Sequence, residues 1–232
     1  ILADCGLLGL PNAGKSTFLR LLRGDARPDQ TPRGDRKGRC AWTIDGEEDT
    51  SPLAIKPVAR LVSAEQHRLY VRRGWKLTGL DLIISAFTDS LLPSPPEPGQ
   101  IETATTVAEN LGAGYLLSQA VTAMSQGQLR LILLARAMAS APKLLLLDEP
   151  FDGLDGANRD LLHAAVNTAA QSATVILTAH RDRDIPSCVT HTLRLEGGNV
   201  AHSGPARAEN RTVPEAPCSA PGNQTTNTAV HL

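Results

Sequence analysis

The chain has 232 residues, with 23 Lys and Arg against 24 Asp and Glu and a formal net charge of -1. That balance, with aromatic residues at only 3%, gives no electrostatic or base-stacking support for nucleic-acid binding. The length permits one large domain or two small ones with a substantial core, and no apolar run approaches the roughly 20 residues that span a bilayer. The cysteines Cys5, Cys40, Cys188 and Cys218 form no C-x-x-C pair, so they read as reduced cytosolic thiols rather than a disulfide framework or metal site.

Taken in chain order, residues 1–10 are an apolar run that leads into Gly9-Leu10-Pro11-Asn12-Ala13-Gly14-Lys15-Ser16-Thr17 and then into a leucine-rich helix. Strand, glycine loop and helix are the context that the G-x-x-x-x-G-K-[ST] pattern requires. Gly9, Asn12, Ala13 and Gly14 would let backbone N–H groups curl around phosphates, and the helix N-terminus adds a favourable dipole. Lys15 would reach the β- and γ-phosphates, and the Ser16 hydroxyl, next to Thr17, would ligate Mg2+. Residues 24–57 read as loops with short antiparallel strands around 40–44, and Arg33, Arg36 and Arg39 as a solvated segment. A strand is expected at 58–63, a helix across the apolar stretch 77–92, and a complete break at the proline-rich residues 93–99. Helices follow at 101–111 and 126–140.

The run Leu144-Leu145-Leu146-Leu147 is uninterrupted, as in a parallel strand buried on both faces, and it ends in Asp148, Glu149 and Pro150. Ligands of open α/β sheets lie at the carboxyl ends of strands, so these two acids stand where chemistry happens. A helix at 157–170, a buried strand at 174–178 ending before His180, and a strand pair at 190–204 turned at Gly197-Gly198 complete the ordered chain. Residues 206–232 are poor in large apolar side chains and read as a disordered tail. His67, His163, His191 and His202 have no metal-like spacing, and Trp42 and Trp75 read as packing residues.

Met124-Ser125-Gln126-Gly127-Gln128 resembles the signature loop of ATP-binding-cassette (ABC) ATPases, usually L-S-G-G-Q, and lies 23 residues before Asp148. Asp152-Gly153-Leu154-Asp155 resembles the D-loop of that family, and His180, 32 residues after Asp148, resembles its switch histidine. Together with the phosphate loop, these motifs cover residues 9–180. The run from Glu149 to Asp155, with Cys188-Val189-Thr190-His191, looks most like the soluble tandem-cassette branch associated with molybdate uptake or photorepair.

The resemblance implies a P-loop NTPase fold, with a mostly parallel core from residues 1–65 and 141–205 and a helical signature subdomain from 66–140. It implies that Asp148 holds Mg2+ or its water shell and that Glu149 polarises the attacking water. His180 would contact the γ-phosphate. Ser125, Gln126, Gly127 and Gln128 would face a nucleotide on an opposing cassette, with Asp155 in the D-loop. Gln66 would be the Q-loop residue near the metal, with Glu65 as its rival. The implied activity is hydrolysis of ATP with Mg2+ as cofactor, energising transport or a related process. The implied partners are a second cassette (homodimer or tandem domain) and a membrane permease subunit, in the cytoplasm or at the inner face of the cell membrane.

Other readings stand beside this one. The opening ILADCGLLGLPNAGKST resembles Obg-type GTPases, with Asn12 where cassettes usually carry glycine, yet the chain has no N-K-x-D motif. A non-hydrolysing, ATP-binding regulatory module is the other alternative. Cassettes of this family also have two strands and an adenine-stacking aromatic before the phosphate loop. Here eight residues precede Gly9, none of them aromatic. The chain therefore looks like a fragment or an N-terminally truncated cassette, with weak base selectivity and an unpaired sheet edge expected.

Overall fold

The computed structural model describes residues 4–26 and 41–206, and the backbone of 230–231. Cys40, Arg33, Arg36, Arg39, Cys218 and the expected tail from residue 207 onward, apart from that two-residue stretch, lie outside the described residues. The centre is a six-stranded sheet with β1 at Cys5–Leu8, β4 at Ala59–Ser63, β5 at Leu144–Asp148, β6 at Thr174–Ala179, β7 at His191–Glu196 and β8 at Asn199–Pro205. Its spatial order is β4-β5-β6-β1-β7-β8, parallel except for the β7–β8 hairpin. That hairpin turns at Gly197 and Gly198, both at positive φ, as expected from the glycine pair. Strand β1 is flanked by β6 and β7, and the unpaired edges of the sheet are β4 and β8.

The four leucines of β5 explain why this sheet needs cover on both faces. Successive side chains of a strand point to opposite faces. Leu145 and Leu147 accordingly join one apolar cluster while Leu144 and Leu146 join the other. Val175 and Leu177 of β6 follow the first face and Ile176 the second. All four leucines are fully buried, and each contributes about 1.5–3 kcal/mol of transfer free energy.

The second face is covered by α1 (Lys15–Leu22), α2 (Pro52–Ile55) and Trp42, whose indole Nε1 donates to the Leu22 carbonyl at 2.8 Å. Trp42 belongs to a small hairpin of β2 (Trp42–Ile44) and β3 (Glu47–Asp49), turned at Asp45-Gly46, where both residues have positive φ. Backbone at β9, Val230–His231, pairs parallel with β2.

The first face carries α3 (Ala64–Arg73), α4 (Gly79–Ile84), α5 (Gln100–Asn110), α6 (Gln126–Ala139) and α7 (Gly156–Ala169). On α7, Leu162, Ala165, Val166 and Ala169 are buried at i, i+3, i+4 and i+7, the stripe of an amphipathic helix. Helix α6 is buried almost all round from Leu129 to Ala137, as befits a helix wedged between the sheet and its neighbours.

The helix expected across 77–92 is shorter than its apolar content suggested. It starts at Thr78, whose capping box with Asp81 is complete, and ends at Ile84. Beyond it the Ser85 hydroxyl turns back to the Leu82 carbonyl, Asp89 adopts a φ of 47°, and α6 takes the Ser90 carbonyl through Arg136. Leu82, Ile83 and Ile84 are buried within this helix, whereas Leu91 and Leu92 beyond it are exposed.

Candidate active site

The sheet order brings three chain segments together. The C-terminal ends of β1, β6 and β5 are adjacent, with Leu8 opposite Ala179 and Leu147 opposite Leu177. The Asp148-Glu149 pair and His180 therefore converge on the phosphate loop, which lies more than 130 residues earlier in the chain.

The loop itself is shaped by two backbone positions. Gly9 has φ 149°, and a Cβ there would lie 2.4 Å from the Leu195 carbonyl oxygen, so only glycine fits against β7. Asn12 has φ 64°, in the left-handed region where asparagine is among the most tolerant non-glycine residues. This accounts for the spelling of the loop without any change of fold. Helix α1 then begins at Lys15, and its first amide groups have no intrahelical acceptor.

Lys15 is 3% exposed, and its Nζ donates to the carbonyls of Gly9 at 2.9 Å and Leu10 at 3.1 Å. Burial pushes its pKa down, opposed by the carboxylates of Glu149 and Asp148. The ammonium also reaches His180 Nδ1 at 3.2 Å, while His180 Nε2 lies 2.5 Å from Glu149 Oε1. Nδ1 also lies 3.1 Å from the Gly9 carbonyl oxygen, so one ring nitrogen faces Lys15 and the phosphate loop while the other faces the carboxylate. The histidine thus ties the lysine to the acid.

Asp148 and Glu149 face different tasks. The Ser16 hydroxyl donates to Asp148 Oδ1 at 2.9 Å, which joins the phosphate loop to β5. These hydroxyl and carboxylate oxygens are hard donors of the kind Mg2+ takes from a protein that leaves the remaining positions to water and phosphate. Among the described residues, no group of three or more His, Cys, Asp or Glu is placed to hold a metal ion. Glu149 has φ 50°, a strained conformation for a glutamate.

Thr178, a residue the sequence reading passed over, holds that conformation. It is 1% exposed on β6; its Oγ1 donates to Asp148 Oδ1 at 2.9 Å and accepts from the Glu149 amide at 2.7 Å. A single hydroxyl therefore sets both acids. A threonine near the end of a buried strand gives no signal of this unless the β5–β6 register is known.

The second constellation lies at the start of α6. Ser125 and Gln128 form a reciprocal capping box: Ser125 Oγ accepts from the Gln128 amide at 3.2 Å, and Gln128 Oε1 accepts from the Ser125 amide at 2.9 Å. Ser125 and Gln126 are exposed, whereas Gly127 is buried against α7, where a Cβ would lie 2.6 Å from the Asn158 side chain. Asn158 is itself fixed by Asp155, the N-cap of α7, whose carboxylate accepts from its amide and its side chain. Those bonds hold the exposed Asp155 carboxyl below its ordinary pKa. Arg130 of α6, 7% exposed, donates to the carbonyls of Pro150 and Asp152 at 2.7 and 2.5 Å. So α6 is bolted to the segment that follows Glu149, through a residue that sequence spacing could not single out.

The family model described as ABC transporter matches residues 4–152. The chain belongs to that family. It is 37% identical over 195 residues to the molybdate import ATP-binding protein MolC of Haemophilus influenzae, covering 83% of this chain and 68% of that protein. It is 31% identical to the thiamine import ATP-binding protein ThiQ of Vibrio vulnificus, covering 88% of this chain and 81% of that one. The ABC transporter ATP-binding protein ModF of Escherichia coli is 29% identical over 83% of this chain, which spans only 39% of ModF. Among solved structures, the ADP conformation of MJ1267, an ATP-binding cassette of an ABC transporter, superposes with a TM-score of 0.70 at 17% identity, covering 88% of this chain and 80% of that one. That last likeness speaks for the fold alone.

In this ABC ATPase fold, most of the expected site residues come together, and one does not. Gln66 lies on α3 and lines a cavity with Arg23, Arg60 and Arg136, whereas Asp148 and Glu149 border a different one with Ser63. The residue opposite Asp148 in the sheet is Ser63, which caps α3 by accepting from the Gln66 amide. Gln66 follows three residues later in the first turn of α3, and among the described residues no hydrogen bond joins its side chain to the Ser16–Asp148 cluster. Its rival Glu65 is exposed and pairs with Arg20 at 2.6 Å. No helix of the described residues is long and apolar enough to cross a membrane.

Proposed function

We propose that this cassette binds MgATP at the phosphate loop and hydrolyses it by in-line attack of water, within a sandwich of two cassettes. The observation that carries the reading is the chain of contacts Lys15–His180–Glu149, with Ser16 bonded to Asp148 beside it. The loop amides and the α1 N-terminus would bind the phosphates, and Lys15 would exchange its carbonyl partners for the β- and γ-oxygens. Mg2+, held from this chain by Ser16 and Asp148, would neutralise the charge developing on the phosphoryl oxygens. Glu149 would accept a hydrogen bond from the attacking water, its carboxylate fixed by His180 and its backbone by Thr178. Catalysis here is positioning more than bond-making, so rigidity of the carboxylate is the main requirement.

Ser125 opens α6 on an exposed surface, with Gly127 packed behind it against α7, a suitable place for the γ-phosphate of a nucleotide held by a second cassette. The partner is a second copy or a tandem domain, with a membrane permease as the further component and the inner face of the cell membrane as the location. The names of the relatives divide between molybdate and thiamine, so no cargo is assigned here. The test is Glu149→Gln. It is expected to reduce turnover to background while MgATP affinity stays within about twofold of the parent, since the amide keeps the shape and loses the base. Unchanged hydrolysis would transfer the water-positioning role to another group.

A further inference from the structure

A cavity of about 210 Å³ lies away from the phosphate loop, where the end of α1, strand β4, α3 and α6 meet. Its floor is apolar, but three guanidinium groups line it: Arg23 at the C-cap of α1, Arg60 on β4 and Arg136 on α6. Against these three cations the wall offers one carboxylate, Asp89, and the amide of Gln66.

The charge there is poorly compensated. Arg136 is 8% exposed; its Nε donates to the Ser85 hydroxyl at 2.9 Å and its Nη2 to the Ser90 carbonyl at 2.7 Å, both neutral acceptors. Arg60 is bonded to the carbonyls of Lys56, Pro57 and Ala59. Arg23 pairs with Asp25, which it shares with Lys56, and its buried Nε has no hydrogen-bond partner. Among the described residues, neither Arg60 nor Arg136 makes a salt bridge, and Asp89 reaches none of the three. Burial pushes the Arg60 guanidinium down, and the Arg23 and Arg136 charges push the same way against Asp89. A buried guanidinium bonded only to neutral acceptors, as Arg136 is, carries a desolvation cost that an anion offsets, and the half-buried Arg60 and Arg23 add positive charge beside it.

We propose that this cavity is a binding site for a small divalent oxyanion, of the sulfate or hydrogen phosphate type. Guanidinium forks suit tetrahedral oxygens, and the available donors point from three separate elements. The volume is below the about 300 Å³ at which pockets begin to take drug-sized ligands, which excludes a whole nucleotide. The bound ion joins the far end of the phosphate-loop helix to the far end of the helix that Ser125 opens. It therefore clamps the two elements that carry the two halves of the nucleotide site.

The test is titration of the full chain with sodium sulfate, read by calorimetry and thermal unfolding, with sodium chloride at equal ionic strength as the control. Saturating MgADP is present so that the phosphate loop is filled. One sulfate per chain is expected, with a rise in Tm that chloride does not match. Arg60→Gln and Arg23→Gln are each expected to weaken sulfate binding at least about tenfold, the usual loss when one charge-assisted bond is removed. Both should keep MgADP affinity, which establishes that they fold, and Lys15→Ala should keep the sulfate response. A sulfate response that Lys15→Ala removes and both arginine variants retain would assign the ion to the phosphate loop and overturn the proposal. Equal responses to chloride and sulfate, or no sulfate response in the parent chain, would overturn it as well.

Discussion

Thr178 is the side chain whose role is least apparent from its surroundings in the sequence. Its hydroxyl is the common partner of the Asp148 carboxylate and the Glu149 amide. Thr178→Val preserves shape and strand propensity but leaves Glu149 unsupported in its strained conformation. Loss of such a bond is worth about 1–3 kcal/mol, so kcat should fall about tenfold or more while ATP affinity holds, and Thr178→Ser should restore it. A parallel fall in affinity would mean that the threonine merely supports the fold. Asn12 offers a complementary check on backbone strain. Asn12→Gly should bind ATP as the parent does, whereas Asn12→Val, forced to φ 64°, should cost about 1–2 kcal/mol of stability and weaken binding. Asn12 and the Gly-Lys-Ser run were legible in the sequence because backbone conformation and phosphate contact are local matters. Thr178 was not, because its partners lie 29 and 30 residues away.

Among elements, α7 shows how packing converts into pH dependence. His163 of α7 stacks on buried Phe151, with ring centroids 4.1 Å apart and planes 15° from parallel. Burial holds its pKa below the usual 6.5; the Arg183 backbone, Asp184 and Asp160 oppose this, and Arg159 adds to it. Above pH 6.5 the imidazole is neutral in both states and contributes no pH dependence. As pH falls from there through the lower folded value, the unfolded chain takes the proton first and stability is lost. His163→Phe keeps a stacked ring, so its unfolding free energy should decline less between about pH 6.5 and 5. His67 is lowered too, by burial and by Arg130 and Arg68, so some slope should remain. An unchanged slope in the variant would remove His163 as a source. Elements were readable wherever the pattern was strong, as in the apolar run of β5 and the stripe of α7. The stretch 77–92 misled because its buried Leu82, Ile83 and Ile84 fill only a six-residue helix, while Leu91 and Leu92 beyond it are exposed and the turn between them bonds to α6 through Arg136.

For the molecule as a whole, the two constellations point in different directions. Glu149 and His180 meet the phosphate loop of the same chain, while Ser125 opens α6 on an exposed surface. If each nucleotide is enclosed by both cassettes, two defective chains can complement one another. Lys15→Ala and Ser125→Arg should each be nearly inactive as homodimers, and a mixture should regain activity through the mixed dimer, which keeps one intact site. A mixture no more active than its parts, with dimers verified by sedimentation, would confine catalysis to one chain. For the same reason the specific rate of the parent chain should rise with protein concentration.

By itself the sequence determined the phosphate loop, the acid pair at the end of a buried strand, the histidine after the next strand and the serine that opens α6. Each is a short run whose chemistry is written in adjacent residues, and their order along the chain identified the fold. Only the tertiary structure decided which of these residues meet. The β5-β6-β1 order set His180 between Lys15 and Glu149, and the β4–β5 register set Ser63, the cap of α3, opposite Asp148. It also gathered Arg23, Arg60 and Arg136 around one cavity. The physical reason is that strand neighbours and helix packing are fixed by burial summed over the whole chain. A hydrogen bond between residues far apart in sequence leaves no trace in either one's own surroundings.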